Sequence, residues 1–193
     1  TLNATRRQRQ MCIRDSGCTA PGFIPLGQET DFDHNQFADT EYCPWRGRIL
    51  SGEVQDENAY ALGGVAGHAG LFGTAQEVKC VLDCILDTIS SENGSFPWSR
   101  EHLTEFLQPA RLHPSSTWAL GFDTPASSDS SAGRYFSTNS VGHLGFTGTS
   151  FWLDLKKEMA VILLSNRVHP SRDNEKIKNF RPLLHDAVME EFA

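Results

Sequence analysis

The residues best equipped for chemistry stand in one short stretch, Val141-Gly142-His143-Leu144-Gly145-Phe146-Thr147-Gly148-Thr149-Ser150. An imidazole titrates near neutrality and can give or take a proton. Glycines inside a strand-like pattern let another group approach the backbone closely. These types together describe an edge strand against which a substrate could lie, with His143 beside it and Gly145 clearing the surface. Asn166, Arg167 and Arg172 are polar groups that follow the last strongly apolar segment. His68 lies in a segment with five glycines in eleven residues, 63–73, and could approach the same site. That segment lacks both the Gly-Lys-Ser/Thr ending and the leading apolar strand of a phosphate loop, so no phosphate cradle is expected there. Asp56 and Glu57 are acids at a helix start, an ordinary arrangement, and take no acid–base role. His113, His169 and His185 have no ligand-like neighbours in the sequence.

The elements that must position these groups follow from composition and period. The chain has 193 residues, 39% hydrophobic and 21% charged, enough for one domain with a real core. A net charge of −7 argues against a nucleic-acid surface, which would cluster Lys and Arg. The longest apolar run, Met159 to Leu164, is strand-sized and far short of the roughly 18 residues of a membrane span. Five cysteines are too few and too irregular for a disulfide framework. Cys80 and Cys84, four apart on a predicted helix, could pair on a metal, but no further Cys or His completes a zinc set. They read as small residues flanking a buried face, and no metal or cofactor is expected.

Residues 17–47 read as a long irregular segment anchored by Phe23, Ile24, Leu26, Phe32 and Phe37, of the kind that often lines a site. Residues 48–50 and 52–54 suggest a short hairpin, and 56–62 a helical turn or two. Thr74-Ala75-Gln76-Glu77 is a capping box. Behind it Val78, Val81, Leu82, Ile85, Leu86 and Ile89 fall on one face of a helix. Ser99 is placed to cap a shorter helix with Leu103, Phe106 and Leu107 inward. Residues 117–122 alternate as a strand, and 126–133 form a Ser-rich, exposed and mobile loop. Strands are expected at about 140–146, 149–155 and 159–165, the last two joined by Lys156-Lys157-Glu158. Asp173 is placed to cap a final helix with Ile177, Phe180, Leu184, Val188 and Phe192 inward and a kink at Pro182. Antiparallel strands with a C-terminal helix packed on them make an α+β layer.

This order resembles the C-terminal part of the β-lactamase and penicillin-binding-protein family of serine hydrolases, especially its class C and esterase-like branch. The likeness extends over nearly all of residues 17–193. His143-Leu144-Gly145 stands where that family has Lys-Thr-Gly, or His-Thr-Gly in the esterase-like branch. Leu164-Ser165-Asn166-Arg167-Val168-His169-Pro170 looks like its Leu-Ala-Asn…Tyr-Pro, and residues 70–78 like the entry to the helix bordering its site. The resemblance implies a partial β-lactamase/transpeptidase-like fold and an acyl-enzyme acting on a small-molecule or peptide substrate. It gives the Phe146 backbone N–H as one oxyanion donor, His143 and Gly145 as its neighbours, and Leu144, Thr147, Asn166, Arg167 and His68 as substrate contacts. Histidine and leucine in place of lysine and threonine point to an ester or neutral amide, as in an esterase or a D-Ala-D-Ala carboxypeptidase, and away from β-lactams. A bacterial periplasmic or cell-envelope setting is implied in the same way.

The departures are as informative. No serine is followed three residues later by lysine, and no Tyr-x-Asn is present. The family places both motifs upstream, so residues 17–193 read as the C-terminal part of one domain whose N-terminal half is missing, inactive alone. Residues 1–16 read as a non-native leader, because Met11-Cys12-Ile13-Arg14-Asp15-Ser16 resembles a translated sequencing-library adaptor. Half a domain should leave apolar surface bare, with residues 159–165 and 78–89 the expected places. The competing expectation is a non-catalytic module binding cell-wall fragments or peptides in the same cleft.

Overall fold

The computed structural model describes residues 22–23, 37–90, 99–110, 113 and 116–192. The expected leader and most of the irregular stretch with its anchors Ile24, Leu26 and Phe32 lie outside the described residues. At the centre is a three-stranded antiparallel sheet in the order β5-β6-β7, made of β5 (Ser140–Leu144), β6 (Ser150–Asp154) and β7 (Met159–Leu163). Opposite residues in an antiparallel pair share a face, so the register divides the sheet cleanly. Val141, Leu153 and Ala160 lie on one face with His143, Phe151 and Ile162. Gly142, Trp152 and Val161 lie on the other with Leu144, Ser150 and Leu163.

Each face has its own helical cover. Helices α2 (Ala75–Ser90) and α3 (Arg100–Leu107) bury Leu82, Ile85, Leu103 and Leu107 against Val141 and Leu153. Both caps form as the sequence indicates: Thr74 N–H donates to Glu77 at 2.7 Å, the Glu77 N–H returns to Thr74 Oγ1 at 3.3 Å, and Ser99 accepts from His102 N–H. Phe106, expected inward, stays exposed at the edge of that layer. On the opposite face α4 (Ile177–Phe192) packs Met189 with Ala132, Phe136, Trp152 and Val161. Gly142 makes this possible, since a Cβ there would fall 2.5 Å from the Trp152 ring.

Smaller elements frame the sheet. Strand β1 (Gly22–Phe23) pairs with β4 (Leu71–Phe72), and β2 (Tyr42–Cys43) with β3 (Arg48–Ile49), both antiparallel. The hairpin therefore forms one step earlier than expected, turning at residues 44–47 where Gly47 takes φ +68°. Helix α1 (Glu57–Ala61) is capped by Asp56, whose carboxylate accepts from Ala59 N–H at 2.7 Å. Cys80 is disulfide-bonded and Cys84 buried, and the described residues contain no cluster able to hold a metal.

Several expectations are corrected. Residues 117–122 are not a strand: Ala119 N–H bonds to the Phe122 carbonyl around Gly121 (φ +87°), leaving only bridges from Asp123 to Trp118 and Gly142. The Ser-rich loop is anchored, with Ala132 buried and the Ser131 carbonyl accepting from His185 Nδ1 at 2.8 Å. The face of α4 is rotated from the apolar stripe, so Ile177, Arg181, His185, Asp186 and Met189 are buried while Phe180, Leu183 and Phe192 are exposed. The helix also begins without Asp173, whose N–H is bonded to Ser171 Oγ, and Pro182 lies in its first half. Of the two stretches expected to be bare, α2 has its inward face packed, whereas Leu164 is exposed at the end of 159–165, and α4 adds exposed Phe180, Leu183 and Phe192.

Candidate active site

The site is built at the end of β5, where residues 145–149 turn into β6. Gly145 N–H donates to the Thr149 carbonyl at 2.8 Å, and Gly148 N–H to the Gly145 carbonyl at 3.1 Å. Both glycines are required by space. A Cβ at Gly145 would strike Thr149 Oγ1 at 2.1 Å, and Gly148, at φ +118°, lies against the Arg167 amide. The segment after β7 is laced across the turn: Ser165 Oγ donates to the Gly148 carbonyl at 2.6 Å, and Arg167 N–H to the Thr147 carbonyl at 2.8 Å. Thr147, half-buried, is thereby fixed through its backbone.

Phe146 stands at the tip, 54% exposed. Its carbonyl accepts from Arg167 Nε at 2.7 Å, and its ring carries the Arg167 guanidinium 4.4 Å from its centroid. Its own N–H enters no hydrogen bond among the described residues. His143 is exposed on β5, and its Nδ1 lies 3.1 Å from the Leu144 carbonyl. A carbonyl can only accept, so Nδ1 is the donor in this contact. The half-exposed Trp118 ring stands 5.8 Å from the imidazole, centroid to centroid. Leu144 is half-buried on the opposite face, toward α4.

The arginines near this strand are spent on the chain itself. Arg167 Nη1 donates to the carbonyls of Arg172 and Asn174 at 2.6 and 2.9 Å. Arg172 is held between Glu41 and Glu57, with Nε 2.7 Å from Glu41 Oε1 and Nη2 2.6 Å from Glu57. The Arg172 hydrogen bond holds the Glu41 carboxyl below its ordinary range, and the two carboxylates hold Arg172 charged. The Asn166 side chain donates to the Asp39 carbonyl at 2.5 Å, while its Oδ1 is buried without a partner. His68 pairs through Nε2 with Asp56 at 3.1 Å, on the N-cap of α1. The structure thus brings His143, Gly145, Phe146, Thr147 and Arg167 to one turn, ties Asn166 to residue 39, and holds His68 on a different element.

Arg181 belongs to this turn and was missed in the sequence. It is 6% exposed, projects from α4, and its Nη2 donates to the carbonyls of Gly145 and Thr149 at 2.8 and 2.7 Å. Burial, and then the nearby Arg167, press its pKa downward, yet a guanidinium stays charged in any protein site. The signal that could have found it is the row Ile177, Arg181, His185, Met189 at four-residue spacing, a helical face interrupted by two polar groups.

Comparison with known proteins accords with this architecture. Residues 22–183 match the sequence model of the Beta-lactamase family. An N-acetylmuramyl-L-alanine amidase from Bacillus subtilis (strain 168) is 36% identical over 138 residues, 69% of this chain and 31% of that protein. A putative D-alanyl-D-alanine carboxypeptidase from Salmonella agona (strain SL483) is 32% identical over 135 residues, 68% and 31% of the two chains. The chain thus spans about a third of the length of these relatives. Among solved structures, simvastatin synthase from Aspergillus terreus superposes with a TM-score of 0.63 at 16% identity, covering 97% of this chain and 50% of that one. A beta-lactamase from Mycobacterium bovis gives 0.52 at 21% identity, covering 68% and 47%. These neighbours share the fold, a mixed α+β architecture of which this chain makes up part of the domain. By sequence and by fold, the chain belongs to the β-lactamase family.

Proposed function

We propose that this chain forms one wall of a serine-hydrolase active site that works through an acyl-enzyme on an ester or neutral amide. The substrate class is that of an esterase or a D-Ala-D-Ala carboxypeptidase. The names of the amidase and carboxypeptidase relatives support amide hydrolysis in a peptide or cell-wall context. The observation that carries the reading is the turn after β5, with a Phe146 N–H that enters no hydrogen bond among the described residues and exposed His143 alongside.

In this reading the Phe146 N–H is one of two donors to the oxyanion, and the second is the amide of a serine outside this chain. Preorganised donors aimed at developing charge are usually the largest single source of rate, and removing one costs about 10²–10³. His143 Nε2 faces the acyl carbonyl side as a hydrogen-bonding and proton-exchanging group, with Trp118 as a wall beside it. With Arg167, Arg172 and Arg181 engaged by backbone and carboxylates, the strand offers a neutral surface, which suits an uncharged substrate group. Of the substrate-side candidates Leu144, Thr147, Asn166, Arg167 and His68, Leu144 lies on the α4 face of the sheet and His68 on the N-cap of α1, so Thr147, Asn166 and Arg167 are the ones at the turn. Of these, Asn166 and Arg167 act by holding the segment after β7 in position.

The chain contains no Ser-x-x-Lys, so catalysis requires that motif from sequence outside residues 17–193. Residues 1–193 alone are expected to show no saturable nitrophenyl-ester hydrolysis and no fluorophosphonate labelling. The decisive experiment is to sequence upstream of codon 17 and label the resulting longer protein with a fluorophosphonate. Labelling at the serine of a Ser-x-x-Lys motif is the expected result. A longer gene without that motif would overturn the hydrolase reading and leave a binding module.

A further inference from the structure

Arg181 makes contacts that go beyond holding a turn. The carbonyl it approaches, Gly145 C=O, belongs to the same peptide unit as the Phe146 N–H. A peptide is planar and trans, so the two groups point in opposite directions and share one delocalised system. A cation hydrogen-bonded to the oxygen draws electron density through that system and makes the N–H a stronger donor, the polarisation along a hydrogen-bond chain that strengthens each member. Charge-assisted hydrogen bonds are about twice as strong as neutral ones.

The placement is costly and specific. Arg181 is buried on α4, its Nε has no partner, and its Nη2 is committed to Gly145 and Thr149, the two residues that open and close the turn. A merely structural clamp could use a neutral donor, as Ser165 does at the Gly148 carbonyl. The Phe146 N–H on the far side has no acceptor among the described residues.

We propose that Arg181 is a positioning residue for the oxyanion donor, orienting and polarising the Gly145–Phe146 peptide from the side of the sheet opposite the substrate. The proposal rests on the reading of the Phe146 N–H given above, and its consequence is a donor strengthened from behind by a buried cation.

The test is made on this chain by ¹H–¹⁵N spectroscopy of wild type, Arg181→Met and Arg181→Lys. In Arg181→Met the Phe146 amide proton should move upfield by several tenths of a ppm and sharpen its temperature dependence, while Val141 and Trp152 amides stay in place. Arg181→Lys should return part of the shift, because charge is restored with poorer geometry. A Phe146 amide that stays put in a folded Arg181→Met chain would overturn the proposal. Should Arg181→Met fail to fold, the neutral hydrogen-bonding variant Arg181→Gln decides: an upfield shift of the Phe146 amide confined to the turn supports the polarising role, and an unmoved Phe146 amide refutes it. In the longer protein that supplies the serine, Arg181→Met should lower kcat about tenfold with KM little changed. A parallel change in both would mark a folding role only. The spectroscopic result stands whether or not fluorophosphonate labelling succeeds, so failure of this proposal and of the hydrolase reading can be told apart.

Discussion

The two faces of the central sheet are built on different principles. Toward α2 and α3, Val141 and Leu153 meet Leu82, Ile85, Leu103 and Leu107 in an apolar layer. Toward α4, the buried groups include Trp152, Arg181, His185, Asp154 and Asp186. Asp154 accepts from Ser137 N–H and Oγ and from the amides of Lys156 and Lys157, which together outweigh its burial and hold its pKa low. Asp186 accepts from the Arg134 amide and from Arg134 Nε at 2.8 Å. The first face is held mainly by apolar area, with the buried Thr88 hydroxyl bonded within α2 to the Cys84 carbonyl. The second gives up packing for fixed polar contacts, and it is the one that reaches the turn of the candidate site.

The largest effects should come from emptying each face in turn. Trp152 is fully buried between β5, β7 and α4, and Trp152→Ala should cost about 3–5 kcal/mol, read as a loss in denaturant midpoint. Leu153→Ala, its neighbour on the apolar face, should cost about 2–4 kcal/mol. Hydrogen exchange separates the two: Leu153→Ala should loosen α2 and α3, whereas Trp152→Ala should speed exchange at 145–149 through α4. If both variants protect or expose the turn equally, the faces are not independent in the way described.

A smaller effect tests the polar face by pH. His185 is fully buried, with Nδ1 bound to Ser131 and Nε2 unpartnered. The groups facing it are Arg181, Asp186 and, across the loop, the Phe136 ring. Burial, more than the adjacent Arg181, depresses its pKa below the ordinary 6.5. Unfolding therefore takes up a proton as pH falls below 6.5, so stability is full above that value and declines beneath it. Glu41 and Asp154 lose their contributions only at lower pH, since both are held below their ordinary values of 4.5 and 3.8. Between pH 6.5 and 5 the fall in Tm should therefore shrink in His185→Asn, which keeps a donor toward Ser131. An unchanged slope would place the titration elsewhere. Leu153→Ala should leave the slope as in wild type, which sets the two faces apart.

What the sequence showed of these faces follows the same division. The apolar side was legible because local pattern specifies it: the α2 stripe, its capping box and the Ser99 cap need no long-range knowledge. The α4 side was not. Hydrophobicity selected Phe180 and Phe192, whereas the structure turned Arg181 and His185 inward because a Gly145 carbonyl and a Ser131 carbonyl, 36 and 54 residues away, supply their partners. Residues 117–122 misled for a related reason. Their alternation is that of a strand, but Gly121 permits a left-handed turn that closes on Phe122. In the site, His143 and Gly145 could be named from a glycine–histidine strand, and Phe146 only from the family resemblance. The engagement of Arg172 by Glu41 and Glu57 could not, because it joins segments more than a hundred residues apart.

The smallest expected effect sharpens the comparison from the apolar side. Glu77 closes the capping box of α2, accepting from Thr74 N–H at 2.7 Å and from Thr74 Oγ1 at 3.2 Å on an exposed surface. Glu77→Ala removes an acceptor at the helix N-terminus and should cost about 0.5–1 kcal/mol, seen as a small drop in Tm. The helix should nonetheless persist by circular dichroism, because most helical stability in a folded protein comes from the packed face. Cys80, Leu82, Cys84 and Ile85 are all buried there. Amide exchange should accelerate in the first turn of α2 and remain unchanged at residues 145–149, since nothing in that cap touches the polar side of the sheet. Faster exchange at the turn would show that the two faces communicate through β6, and the clamp at Arg181 would then report on the whole sheet rather than on α4 alone.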